Sequence, residues 1–207
     1  MNRFSVIMAV YDNADVLEED LPAFLTQTYE PGYEVIVVDE SSTDNTEDVL
    51  KLLKNEHPHL YTTFLPKPDY NITRRRLALT LGVKAAKNEW VILTDIYSRP
   101  PSEEWLKETA ECIDNSTEAM IGYYRKKGTK IQLFDDITET RRIIMKAERK
   151  RADGHKGKHL RYLRGKYNFI AVKTSKAHDL LKYFEQKVGF RRLMGLRLAV
   201  MCQNINS

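Results

Sequence analysis

The 207-residue chain has only two cysteines, Cys112 and Cys202, and no CxxC or CxxxC pair. Structural zinc sites draw on closely spaced ligand pairs, so this spacing argues against one. The two thiols read as reduced and buried, as expected in a reducing compartment. With 9 glycines and 7 prolines, the chain has too few of either for a collagenous or low-complexity protein. No apolar run approaches the roughly 20 residues that a membrane-spanning helix needs. The N-terminus enters a strand-like run at Phe4, without a basic and then apolar leader. A soluble, cytoplasmic protein is expected. Its composition, 42% hydrophobic and 30% charged, suits one domain with a full core, read as residues 1–207.

Apolar runs alternate with helical periodicity over the first 125 residues. Phe4–Val10, Tyr33–Val38, Leu60–Leu65, Trp90–Leu93 and Met120–Tyr124 read as strands. Ala14–Thr28, Asp44–Asn55, Thr73–Ala86 and Ser102–Ile113 read as helices, with Ser42 or Thr43 expected to cap the second and Ser102 to open the fourth. This alternation predicts an α/β fold with a mostly parallel sheet flanked by helices. Further on, Phe169–Val172 reads as a strand and Ser175–Lys187 as a helix. Between them the composition changes: Arg141–Lys166 is dense in Arg and Lys, with only Glu148 and Asp153 opposing.

Three of the early strands end in an acid or an aromatic–acid pair: Tyr11-Asp12, Asp39 and Asp95. Parallel strands bring their carboxyl ends to one edge of the sheet, where open α/β sheets bind ligands. Such a cleft suits a nucleotide. Tyr11 offers a face to a base, Asp39 accepts hydrogen bonds from base N–H or ribose hydroxyls, and Asp95 suits ribose or a divalent cation. For Asp95, capping of a local turn is an equally good reading. A dinucleotide-binding turn requires glycines after the first strand, and Tyr11-Asp12-Asn13-Ala14 has none; a phosphate-binding GxxxxGK[ST] loop is also absent.

The segments FSVIMAVYDN (4–13), EVIVVDESSTDNT (34–46), TRRRLALTLGVKAA (73–86) and WVILTDIYSRPPSEEWL (90–106) together resemble family 2 glycosyltransferases of the GT-A fold, a Rossmann-like architecture. The resemblance covers residues 3–124, the nucleotide-binding half; residues 125–207 would form the acceptor-side half. It implies transfer of a sugar from a UDP- or GDP-linked donor, with inversion, to a glycan or lipid-linked hydroxyl in cell-envelope polysaccharide synthesis. Nucleotide contacts are implied for Ala9, Tyr11, Asp39, Ser41, Arg75, Arg76 and Asp95. A solvated helix face is the plainer reading of the arginines.

Two departures qualify the resemblance. The family's DxD motif usually provides two carboxylates for Mg or Mn; here Asp95 matches the first and Tyr97 replaces the second. A phenol with a pKa of about 10 is a poor ligand at neutral pH, so a cation held by Asp95 alone would be weak. Arg75, Arg76 or Arg99 is a candidate to stand in for it. The usual late acidic cluster is also missing, because no carboxylate follows Glu185. The chain is still read as an enzyme of this kind; the alternatives are a truncated version of a longer enzyme and a non-catalytic relative that binds nucleotide sugars without metal site or base. If a base is retained, Asp135 and Asp136 are the candidates, within reach of the acceptor hydroxyl if their loop folds over the cleft. His155 and His159, four apart in the basic segment, read as surface residues. The Arg141–Lys166 segment suits a phosphate-bearing acceptor at the inner face of an anionic membrane, or is a solvated helix and loop. It carries no nucleic-acid motif, so no nucleic-acid partner is expected.

Overall fold

A computed structural model describes residues 2–66, 74–126, 168–181 and 198–205. Among the described residues seven strands form one sheet: β1 (Phe4–Val10), β2 (Tyr33–Asp39), β3 (Leu60–Phe64), β4 (Trp90–Leu93), β5 (Ala119–Lys126), β6 (Phe169–Lys173) and β7 (Leu198–Ile205). Their order is β3-β2-β1-β4-β6-β5-β7. The pairs β3·β2, β2·β1, β1·β4 and β5·β7 are parallel, and β6 is antiparallel to both β4 and β5. Only β6 therefore runs against the rest, and the expected mostly parallel α/β sheet is present.

The central strand explains itself. All seven residues of β1 are buried, because β2 and β4 hydrogen-bond to its two sides and helices cover both faces. Phe4, Val6, Met8 and Val10 face one layer, formed by α1 (Ala14–Leu25), α2 (Thr46–Glu56) and α4 (Trp105–Glu111). Ile7 and Ala9 face the other, formed by α3 (Arg74–Ala85) and α5 (Thr174–Leu181). The one buried hydroxyl on β1, Ser5, donates to Glu34 Oε1 at 2.7 Å, so it is satisfied.

Several boundaries differ from those read in the sequence. α1 contains Pro22 and stops at Leu25, with Thr26 N–H returning to the Pro22 carbonyl at 3.0 Å. Thr28 then leaves the helix to donate to Glu103 O at 2.8 Å. α4 begins at Trp105 rather than Ser102, whose carbonyl is taken by the Gln27 side chain at 2.9 Å. β7, an edge strand with no clean alternation, was not expected. Cys112 is exposed, not buried, because it follows the last turn of α4. The expected helix after Ser175 is described as far as Leu181.

α3 packs unusually close. A Cβ added at Gly82 would lie 2.4 Å from Ile7 Cγ2, so the bare backbone lets the helix settle onto β1. Helix propensity alone would favour Ala at this position by about 1 kcal/mol. The overlap should outweigh it, because overpacking costs about 1–3 kcal/mol. Gly82→Ala is therefore expected to lower the urea midpoint; an unchanged or raised midpoint would show that α3 shifts freely.

Candidate functional site

The carboxyl ends of β1, β2 and β4 meet along one edge. Val10 pairs with Asp39 in register, Glu40 N–H donates to Val10 O at 2.8 Å, and Thr94 N–H donates to Ile7 O at 3.1 Å. Past these points the chain turns into loops that brace one another. Asp12 (φ 48°) and Ser41 (φ 61°) both adopt the left-handed region, a conformation that costs non-glycine residues about 1–2 kcal/mol each.

Hydrogen bonds hold both residues there. Asp12 N–H donates to Ser42 Oγ at 2.9 Å, and Thr43 N–H donates to Asp12 Oδ1 at 2.6 Å. Ser42 donates to Asp39 Oδ1 twice, from its N–H at 2.9 Å and its hydroxyl at 2.6 Å. The Ser41 hydroxyl donates to the Leu65 carbonyl. Ser42 and Thr43 therefore knit the β1 and β2 loops together instead of capping α2. Asp44 serves the helices: Oδ2 accepts from Ala14 N–H at 3.0 Å, and Oδ1 accepts from Thr46 N–H at 3.0 Å. One carboxylate thus holds the first residues of both α1 and α2.

The arginines of α3 reach the same edge. Arg75 Nη1 donates to Ala9 O at 3.4 Å. The Arg74 guanidinium lies 5.6 Å from the Tyr11 ring centroid, over its face, a favourable cation–π arrangement. Its Nε and Nη2 are buried and have no hydrogen-bond partner. Glu40 is buried nearby: burial raises its pKa, the charges of Arg75 and Arg74 offset this in part, and Asp39 adds to the rise.

Asp95 is partly buried where β4 ends. Its carbonyl, not its carboxylate, closes the local turn, accepting from Ser98 N–H at 3.1 Å. The phenol of Tyr124 is buried without a partner; burial raises its pKa well above the ordinary value, and the Asp95 charge adds to the effect. Tyr97 is 68% exposed, yet its hydroxyl accepts from Asn13 Nδ2 at 2.7 Å, joining the β1 and β4 loops. Arg99 turns away to Asp20 on α1, at 3.2 Å, and so is taken up by an ion pair.

A divalent cation that prefers oxygen needs several such ligands converging on one point. Asp95 supplies one carboxylate, and the phenol at position 97 is occupied by Asn13. Among the described residues no group of three His, Cys, Asp or Glu side chains could hold a metal ion. The described residues by themselves do not form a site for Mg or Mn.

The edge thus gathers Ala9, Tyr11, Asp39, Ser41, Arg75 and Asp95 of the expected set. Arg76 lies in the first turn of the same helix, where its carbonyl accepts from the Thr80 hydroxyl at 2.8 Å. Asp135, Asp136, His155, His159 and the whole of Arg141–Lys166 lie outside the described residues. Sequence reasoning missed Arg74, Asn13 and Asp44. The dense capping vocabulary of residues 41–46 hinted at Asp44; nothing local pointed to Asn13.

The model of glycosyl transferase family 2 matches residues 5–165. The chain belongs to glycosyl transferase family 2. Among its relatives is the poly(ribitol-phosphate) beta-N-acetylglucosaminyltransferase TarP of Staphylococcus aureus, 30% identical over 135 residues, which are 62% of this chain and 38% of TarP. The S. aureus TarS structure with UDP-GlcNAc has a TM-score of 0.64 at 19% identity, covering 99% of this chain and 59% of that one. The mannosyltransferase PcManGT of Pyrobaculum calidifontis, solved with GDP-Man and Mn2+, gives 0.58 at 20% identity, covering 96% and 56%. These likenesses establish the GT-A fold. The matched segments span from 19% to 44% of the length of the curated relatives. Among the described residues no helix of this family 2 chain is long and apolar enough to cross a membrane.

The Asp44 brace gives a pH-dependent expectation. Burial opposes ionisation, but hydrogen bonds from Thr46 and the Ala14 N–H together outweigh it and hold the carboxyl below the usual aspartate value. A carboxyl lowered on folding stabilises fully above its unfolded value, about 4, and loses that contribution as pH falls through the folded one. Asp44→Ala should cost about 1 kcal/mol at pH 7. The gap from the parent protein should close below about pH 4; a gap independent of pH in urea titrations would count against the brace.

Proposed function

We propose that the edge cleft binds a UDP- or GDP-linked sugar, and that the protein transfers the sugar, with inversion, to a glycan or lipid-linked hydroxyl in cell-envelope polysaccharide synthesis. The observation that carries this reading is Arg74. Two of its nitrogens, Nε and Nη2, are buried without an acceptor beside the 47% exposed ring of Tyr11. Buried donors without partners are costly, and a ligand rich in oxygen would satisfy them. Tyr11 offers the base a stacking face. Oδ2 of Asp39 would accept a base N–H, since its Oδ1 is already used by Ser42. Arg75 would meet the diphosphate and Asp95 the ribose or sugar. TarS bound to UDP-GlcNAc and PcManGT bound to GDP-Man support the donor class through their shared fold.

Inversion requires a base that takes the acceptor proton while the acceptor oxygen attacks the anomeric carbon opposite the leaving nucleoside diphosphate. We assign this role to Asp135 or Asp136. Arg141–Lys166 we assign to the acceptor side, where its charge suits phosphate at an anionic membrane surface.

Tyr97 favours a second reading, in which the donor binds without turnover. Calorimetry with UDP and GDP, followed by a nucleotide-release assay with UDP-GlcNAc and GDP-Man, separates the two. Saturable binding with release supports the transferase, and binding without release supports the second reading. If neither nucleotide binds, both fail. Tyr11→Ala should weaken nucleotide binding about tenfold through lost stacking, with little change in thermal stability because the ring is exposed.

A further inference from the structure

The orientation of one amide decides what Tyr97 presents to the cleft. Asn13 Oδ1 accepts the Tyr11 N–H at 3.2 Å, which fixes the amide with its nitrogen toward Tyr97. Asn13 Nδ2 then donates to the Tyr97 oxygen at 2.7 Å. The Tyr97 hydroxyl proton cannot return along that bond, so it is left to donate elsewhere. Most of the ring is exposed, so a ligand in the cleft has access to it.

Neighbouring groups present the same polarity. Arg74 offers Nε and Nη2 without acceptors, and Arg75 donates Nη1 to Ala9 O at 3.4 Å. A contiguous path joins them, from Arg74 over the Tyr11 ring, through the Tyr11 N–H to Asn13, and on to Tyr97. Asp95 is the single carboxylate at the end of β4. Along this path the groups supply protons; the carboxylates of the same edge, Asp12, Asp39, Glu40 and Asp95, are not part of it. A cation needs lone pairs, whereas phosphate oxygens need protons and positive charge.

We propose that the Tyr97 hydroxyl, held by Asn13, donates directly to a diphosphate oxygen of the bound nucleotide, and that with the α3 arginines it makes nucleotide binding independent of a divalent cation. This rests on the proposed nucleotide site. The role of Asn13 is positioning: it accepts from Tyr11, donates to Tyr97 and so aims the phenolic proton.

The test is calorimetry of the full chain with UDP, GDP and the corresponding nucleosides, in EDTA and in Mn2+. For whichever diphosphate binds, affinity in EDTA should lie within about twofold of that in Mn2+. Tyr97→Phe keeps the ring and removes the proton; it should weaken the diphosphate about tenfold, as expected for a hydrogen bond to a charged group, and leave the nucleoside unchanged. Tyr97→Asp should abolish binding in EDTA and recover part of it in Mn2+. Diphosphate binding that requires Mn2+ in the parent protein, or a Tyr97→Phe affinity equal to the parent's, would overturn the inference while leaving the nucleotide site standing. Absence of any UDP or GDP binding would remove both. Thermal melts of the variants separate loss of a contact from loss of fold.

Discussion

Everything at the site depends on β1 being hydrogen-bonded on both sides and covered on both faces. A strand in that position tolerates no unpaired polar group along its length. Polar chemistry begins only where it ends, at Tyr11. The parallel register then forces β2 to end beside it at Asp39, and β4 shortly before it at Leu93. The clustering of Tyr11, Asp39 and Asp95 follows from the ladder alone. No side-chain contact is needed to bring the three loops together.

Side-chain contacts are needed to give those loops a shape. Left-handed backbone at Asp12 and Ser41 is unfavourable for residues with a Cβ. Glycine would relieve the strain but would leave nothing to hold the loops. Here the same residues that turn the chain also accept or donate across it: Asp12 to Thr43, and Ser41 to the Leu65 carbonyl. This explains why a run that looks like helix-cap vocabulary is spent on bracing. α2 begins late, at Thr46, because Asp39 and Asp12 have already claimed Ser42 and Thr43.

Local signals made most of this legible. Apolar runs of four to seven residues located β1, β2 and β4, and their acidic ends marked the edge. α3 was legible too, although its buried set of Ala78, Leu79, Gly82 and Val83 is small and its first turn is wholly basic. What stayed hidden was long-range. Tyr97 reaches Asn13 across 84 positions, and Arg74 covers Tyr11 from the start of α3. β7 was hidden because its pairing with β5 is decided by a remote strand rather than by its own pattern. Asp95 was ambiguous because aspartate after a strand commonly closes a turn through its side chain. Here its backbone carbonyl closes the turn, and the carboxylate is left beside the Tyr124 phenol.

The electrostatics of the three helix starts separate scaffold from site. α1 and α2 place acids in their first turns, Asp15 in one and Glu47 and Asp48 in the other, as the helix dipole favours. α3 starts at the same edge with Arg74, Arg75 and Arg76 and no acid. Each cation at the positive end of a helix is unfavourable by about 0.3–1 kcal/mol, so the arrangement works against the stability of the free protein. Glu40 is the buried acid that feels both Arg74 and Arg75, but burial outweighs their attraction and its pKa is raised. The Tyr11 ring softens the charge of Arg74 without supplying an acceptor. An anion entering the cleft would relieve the dipole, the arginine repulsion and the unpartnered guanidinium N–H groups together, so binding energy is drawn partly from strain already present in the free fold.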